Sequence, residues 1–164
     1  DIRTANISGV THPDGAGEKG EQTLEEAAAI CREVDEGGFT LVCLMGYMKK
    51  VRGELLEQYG WKEGAEVDTA RMLNTHPGPL PQTEGLFGIH VQEEVLRTGL
   101  PYSAHTVHVV AEGYDRGPIL AEHRVPVIEG DTAESLFESV QLTEKTHLPV
   151  DIGAFLDLIR QPGE

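Results

Sequence analysis

The stretch Arg71-Met72-Leu73-Asn74-Thr75-His76-Pro77-Gly78-Pro79-Leu80-Pro81 constrains this chain more than any other. A short apolar lead-in runs into polar residues and is then halted by three prolines and a glycine, which stop regular structure at once. Along a strand, residues i and i+2 share a face, so Asn74 and His76 aim at one small volume while Thr75 points away. An amide and an imidazole so placed suit stabilisation of a developing oxyanion and relay of a proton. Asn-x-His before proline also suits a turn in which Asn bonds the backbone and His lies at the surface. The stretch by itself leaves both readings open.

The surrounding pattern is that of an α/β protein. In the first 22 residues Ile2, Ala5, Ile7 and Val10 suggest a short strand, and Gly15, Gly17 and Gly20 follow in what reads as a linker rather than a phosphate loop. Thr23 with Glu26 three residues on forms a capping-box pair for a helix carrying Leu24, Ala27, Ala28, Cys31 and Val34 at helical spacing, ended by Gly37-Gly38. Residues 39–45 form a continuous apolar run, as in a parallel strand covered on both faces. A short helix from Gly53 to Tyr59 and an exposed connection lead to the strand that ends in Asn74 and His76. Residues 84–98 read as a helix. Residues 102–110 alternate as a strand with Ala104, Thr106, His108 and Val110 on one face, and residues 119–128 form another, with Pro126 marking an edge or an end. Asp131 or Thr132 caps a last helix that runs to Pro149 and continues over residues 152–159.

At 164 residues the chain reads as one domain, 1–164, with enough length for a real core. No apolar run reaches the ~18 residues of a membrane helix and no basic-then-apolar leader is visible, so the expected compartment is cytoplasmic and no membrane partner is expected. The formal charge of −15 argues against nucleic acid. It is also adverse to a substrate bearing phosphate or a glutamate tail, for which Lys49, Lys50 and Arg52 are the candidate local patch; a solvated helix start explains that cluster equally well. Cys43 in its apolar run is expected to be a buried inert thiol, and Cys31 lies in a helix, so neither suggests a disulfide or a nucleophile. His90, His105, His123 and His147 show no metal-ligand spacing, and no zinc is assigned.

Further along, Val107-His108-Val109-Val110 supplies a second strand histidine, and Tyr114-Asp115-Arg116-Gly117-Pro118 an aspartate in a Gly/Pro-rich turn. Taken together, Asn-x-His-Pro…Leu-Pro, Thr-Val-His and Asp-x-Gly-Pro-Ile, in this order and separation across residues 24–158, resemble the 10-formyltetrahydrofolate-dependent formyltransferase family. Within it the likeness is strongest to members that formylate the amine of glycinamide ribonucleotide in purine biosynthesis. The resemblance implies an open, mostly parallel Rossmann-like sheet with helices on both faces and 10-formyltetrahydrofolate as co-substrate, without metal. It implies that Asn74 holds the formyl oxygen, that His76 stabilises the oxyanion and shuttles a proton, and that Asp115 keeps the imidazole charged by raising its pKa. The pterin is expected beside Met45, Tyr47, Met48, Lys49, Lys50 and Val51 and the turn carrying Val110, Ala111, Glu112 and Tyr114. Lys49 and Lys50 stand where the family has Arg and Ile. Pro77, His108, Gln141 and Glu144 match positions on the amine substrate, Glu144 those on the ribose hydroxyls; for His108 a purely structural part near the site is equally open.

One departure is plain. Family members begin with a strand and a Gly-Asn-Gly-Ser-Asn loop that cradles the substrate phosphate, ahead of the helix matching residues 24–34. Here the chain starts after that unit or has Ser8-Gly9-Val10…Gly15-Ala16-Gly17 in its place. Deformylation of the same folate by water and an inactive folate-binding module remain alternatives, and the oligomeric state is open.

Overall fold

The computed structural model describes residues 4–160. Its elements run α1 (Leu24–Gly37), β1 (Val42–Leu44), α2 (Gly53–Tyr59), a 3-10 turn (Val67–Thr69), β2 (Met72–His76), α3 (Ile89–Thr98), β3 (Tyr102–Val109), β4 (Ile119–Pro126) and α4 (Ala133–Arg160). Ile2 of the expected first strand lies outside the described residues; Ala5, Ile7 and Val10 form no strand.

The open, helix-flanked α/β sheet implied by the sequence forms, in the order β1-β2-β3-β4. Its pairing departs from mostly parallel: only β1 and β2 are parallel, while β2–β3 and β3–β4 are antiparallel. Length explains the second antiparallel pair. Nine residues separate β3 from β4, too few for the dozen or more of a crossover between parallel strands.

Alternation along β2 assigns the two faces. Met72 packs with Ala27, Cys31, Val51, Leu55 and Val110 beneath α1 and α2. Leu73, one residue on, packs with Val107, Val109, Leu148, Phe155 and Ile159 against α4. Val95, Val125, Leu136 and Val140 form a third cluster where α3, β4 and α4 meet. Burying a side chain of this kind contributes roughly 1.5–3 kcal/mol, so the sheet is held from both sides.

Several expected boundaries shift. The strand read over 39–45 shortens to β1, half-buried rather than covered, with Phe39 57% and Met45 61% exposed. It has a strand neighbour on one side only among the described residues, so the apolar run is not enclosed. Cys43 is half-buried, and burial raises its thiol pKa. Cys31 is buried, its pKa pushed up to about 11 by desolvation first and then by Glu54 and Asp35. The helix read from Glu84 begins only at Ile89, because Gly85 and Gly88 adopt φ of 76° and 58° and break the pattern. α4 runs unbroken through Pro149.

The β3–β4 connection depends on one glycine. A Cβ on Gly117 would sit 1.5 Å from the carbonyl oxygen of Val109, so no other residue fits without opening the turn. Gly117→Ala is therefore expected to destabilise the fold by about 2 kcal/mol or more, read as a lower urea midpoint; an unchanged midpoint would show that the turn relaxes freely.

On the α4 face, His105, His123 and His147 stack in a column, with centroids 6.0 and 4.0 Å apart, and His123 Nε2 lies 2.9 Å from Asp151. His105 is fully buried and both its ring nitrogens lack a hydrogen-bond partner. Its pKa falls to about 4 through desolvation, with the charges of His123 and His147 lowering it and Asp151 opposing. The unfolded chain, with an ordinary value near ~6.5, binds this proton at a higher pH than the folded one. Stability conferred by neutral His105 is thus complete above about pH 6.5 and is lost as pH falls towards 4. At about 1.4 kcal/mol per pKa unit the loss is on the order of 3 kcal/mol. The gap in urea midpoints between pH 7 and pH 4.5 should narrow in His105→Val; an equal gap in both proteins would assign acid sensitivity to other groups.

Candidate functional site

Because β2 and β3 pair with Asn74 opposite His108 and His76 opposite Thr106, these four side chains share the face opposite Leu73, Val107 and Val109, which pack on the C-terminal half of α4. A register irregularity between Val107 and His108, where β4 carries Leu120 as an extra residue, marks the end of this ladder beside the site. The chain then turns through Asp115, which sits at φ 51°, an uncommon conformation for a residue with a Cβ. That turn returns its carboxylate to β2.

The three residues singled out as catalytic are brought together. Asn74 Nδ2 donates to Asp115 Oδ1 at 3.3 Å and lies 3.1 Å from His108 Nε2. His76 Nδ1 stands 3.4 Å from Asp115 Oδ2 and His108 Nε2 3.6 Å from Asp115 Oδ1. The Val109 carbonyl can only accept, so His108 Nδ1, 2.9 Å away, carries a proton. In the neutral ring Nε2 therefore accepts from Asn74. Both amide hydrogens of Asn74 are then engaged, the one to Asp115 over the longer distance.

The charge state expected for His76 needs correction. Burial lowers its pKa below the ordinary histidine value, Asp115 opposing and His108 reinforcing. A ring 3% exposed loses more hydration as a cation than one carboxylate at 3.4 Å returns, so at neutral pH it is a base and not a standing cation. Asp115 stays ionised: burial pushes its pKa up, but His108, the charge of His76 and the Gly85 N–H at 3.0 Å bring it below the ordinary value.

A turn poor in backbone donors supports His76. Pro77, Pro79 and Pro81 have no N–H to offer a ladder, and the carbonyls of residues 77–79 are met by side chains and, at Pro79, also by the Thr83 N–H at 3.1 Å. Gln92 Nε2 donates to Pro77 O at 2.5 Å, Thr106 Oγ1 to Gly78 O at 2.7 Å and Thr83 Oγ1 to Pro79 O at 2.8 Å; Ser103 Oγ holds Gln92 Oε1 at 2.6 Å. Gln92, Ser103, Thr106 and Thr83 are all fully buried.

The site opens on a cleft of about 370 Å³, within the size range of small-molecule pockets. Of the residues expected on ligands, Tyr47, Met48, Asn74, His76, Pro77, Tyr114, Asp115, Gln141 and Glu144 line it. A smaller adjoining slot is lined by Lys49, Lys50, Val51, His108, Val110 and Ala111 and shares Tyr47, Asn74, Tyr114 and Asp115 with the first. Met45 and Glu112 line neither; Glu112 borders an outer groove with Trp61, Lys62 and Arg116. Phe87, Leu86 and Phe137 line the main cleft and were not anticipated. The glycines on either side of Leu86-Phe87 were the available signal.

The basic cluster is occupied internally. Lys49 Nζ lies 2.7 Å from Glu26, itself 1% exposed, and Tyr47 Oη donates to the same carboxylate; Lys50 and Arg52 pair with Glu21 at 3.2 and 3.0 Å. The Glu26 N–H donates the capping bond to Thr23 Oγ1, 2.9 Å away, but its carboxylate turns to Lys49. Among the described residues no group of metal-ligating side chains and no membrane-spanning helix is present.

The chain is similar in sequence and fold to known proteins. A family model described as formyl transferase matches residues 13–152. The chain is 35% identical over 126 residues to the human trifunctional purine biosynthetic protein adenosine-3, covering 77% of this chain and 11% of that protein. It is 40% identical over 117 residues to the chloroplastic phosphoribosylglycinamide formyltransferase of Arabidopsis thaliana, covering 70% and 37%. The crystal structure of phosphoribosylglycinamide formyltransferase from Bacillus halodurans superposes with a TM-score of 0.70 at 31% identity, over 84% of this chain and 65% of that one. The chain therefore spans only part of each of these relatives, about a third of the Arabidopsis protein. With the family model matched across most of its length and the fold shared, the chain belongs to the formyl transferase family.

Proposed function

We propose that this chain moves a formyl group from 10-formyltetrahydrofolate to the amine of glycinamide ribonucleotide, using small-molecule partners and no metal. The observation that carries the reading is the convergence of Asn74, His76 and Asp115 on one cleft from three places in the sequence. The names of the relatives point to the same acceptor.

In this reading the pterin occupies the slot between Tyr47, Val51, Val110 and Tyr114, and the formyl carbon lies beside Asn74. The amine attacks that carbon, giving a tetrahedral centre with a negatively charged oxygen. The formyl oxygen takes over the longer of the two Asn74 N–H contacts, the one now made to Asp115. His76, neutral beforehand, accepts the proton lost by the amine, and the ionised Asp115 stabilises the imidazolium so formed. When the bond to the folate nitrogen breaks, that nitrogen recovers a proton from His76, giving tetrahydrofolate and the formylated amine. Asp115 and Glu144 make the cleft acidic, and no lysine or arginine lines it among the described residues. This suits an amine and ribose hydroxyls; the substrate phosphate needs groups outside this cleft.

Formyl release from 10-formyltetrahydrofolate, followed with and without glycinamide ribonucleotide, tests the proposal. Acceptor-dependent release is expected; release to water alone would make the chain a deformylase. Asn74→Ala should slow transfer by on the order of 10²–10³ with folate affinity little changed, and full activity would remove Asn74 from the reaction. In Asp115→Asn the imidazolium loses its counter-charge, which lowers the His76 pKa further. The rate should drop and the acid limb of kcat/KM should move to lower pH; an unmoved limb would separate Asp115 from His76.

A further inference from the structure

We infer that residues 20–26 form a clasp that orders the folate slot before a ligand arrives, with Glu26 as its positioning residue. The folate in this inference rests on the formyl-transfer reading, whereas the clasp stands on its own contacts. Tyr47 and Tyr114 line both the cleft and the slot, and each lies in a segment without helix or strand, residues 45–49 and 110–118. Such walls are fixed through their side chains, and both phenol hydroxyls end on the same short stretch. Tyr47 Oη donates to Glu26 Oε1 at 3.2 Å and Tyr114 Oη to the Gly20 carbonyl at 3.0 Å. The stretch is in turn tied to the chain that follows Tyr47. Lys50 N–H donates to the Gly20 carbonyl at 2.8 Å, Gln22 N–H to the Lys50 carbonyl at 3.1 Å and Arg52 N–H to Gln22 Oε1 at 3.3 Å. The Gly20 carbonyl thereby joins the two walls, from a residue at φ 94° where glycine is at ease.

Glu26 carries the most consequence, because it is 1% exposed and a buried charge must be answered. Lys49 Nζ answers it at 2.9 Å from one oxygen and 2.7 Å from the other, and Tyr47 adds a third bond. Lys49 lines the slot as well, so one carboxylate holds two of the residues that shape it. A capping role alone would turn this side chain back to the Thr23 N–H; it does not account for bonds to residues 21 and 23 positions further along the chain. Asn74, His76 and Asp115 touch none of these residues and are held by β2, β3 and the loop over 83–88. Loosening the clasp at Glu26 or Tyr47 therefore weakens binding and spares the chemistry, since a wall that must be ordered on binding costs affinity.

Titration of the full chain with tetrahydrofolate reads the effect. Tyr47→Phe and Tyr114→Phe should each raise Kd by roughly three- to tenfold, and Glu26→Gln by about tenfold or more. Tyr47→Phe keeps the Lys49–Glu26 pair and so keeps the fold; its kcat should stay within about twofold while KM for the folate rises. Because Tyr47 acts through Glu26, adding Tyr47→Phe to Glu26→Gln should cost little more. Unchanged Kd in Tyr47→Phe and Tyr114→Phe, a Glu26→Gln chain with a lower urea midpoint but wild-type Kd, or losses that multiply in the double variant overturn the inference. Acetylation of the full chain by acetic anhydride, followed by mass spectrometry, reads the clasp without folate. Lys49 should react several-fold more slowly than the exposed Lys19 and Lys62, and Glu26→Gln should abolish the difference; an equally reactive Lys49 in the wild type also overturns the inference. A protected Lys49 in a chain that binds no tetrahydrofolate would instead count against the functional reading and leave the clasp standing.

Discussion

Everything at this site depends on β2 meeting an antiparallel neighbour just where its own ladder must stop. Pro77 ends the strand, so the last two inward-facing residues, Asn74 and His76, lie at the mouth of the sheet with His108 and Thr106 opposite. Four polar side chains on adjoining strands would be costly in a closed core, since an unsatisfied buried group costs about 1–3 kcal/mol. They are tolerated because each answers another: Asn74 meets His108 and Asp115, His76 meets Thr83, and Thr106 meets the Gly78 carbonyl. Asp115 completes the set only because Gly117 lets the return strand press against Val109.

The proline-rich turn imposes a second layer. A segment with three missing N–H groups cannot satisfy its surroundings through backbone ladders, and the chain meets this with side chains from α3 and β3. Gln92 and Thr106 reach in from elements on either side, and Ser103 fixes Gln92 in turn. Rigid support of this kind matters for chemistry, because small misplacement of a reacting group costs rate steeply. The loop over 83–88 is tied to the same centre through Gly85 N–H on Asp115 and Arg116 on Glu84, so the wall of the cleft and its carboxylate are coupled.

What the sequence made legible was governed by how local each signal is. The Thr23 cap, the stop at Pro77 and the i, i+2 pairing of Asn74 with His76 are written within a few residues, and all three form. The joining of Asp115 to them came from the order of motifs rather than from spacing. Long-range effects were hidden. Nothing near Lys49, Lys50 or Arg52 shows that Glu21 and Glu26 neutralise them across 23 to 31 positions of chain, and nothing near Thr83 shows that it faces His76. The antiparallel pairs were not legible because a likeness to a mostly parallel fold does not say which neighbouring strands run in opposite senses.

The histidines show how far environment outranks identity. His76 and His105 are both nearly inaccessible and both have pKa values lowered first by desolvation. They differ in what surrounds the nitrogens. His105 faces α4 with no hydrogen-bond partner on either nitrogen, so gaining a proton there only costs stability. His76, on the opposite face, has the Thr83 hydroxyl at one nitrogen and an ionised carboxylate beside the other. The same burial that keeps it neutral at rest leaves it a base whose charged form is already provided for. A lowered pKa thus marks a functional histidine only where a counter-charge stands within reach; without one it marks a core residue that resists protonation.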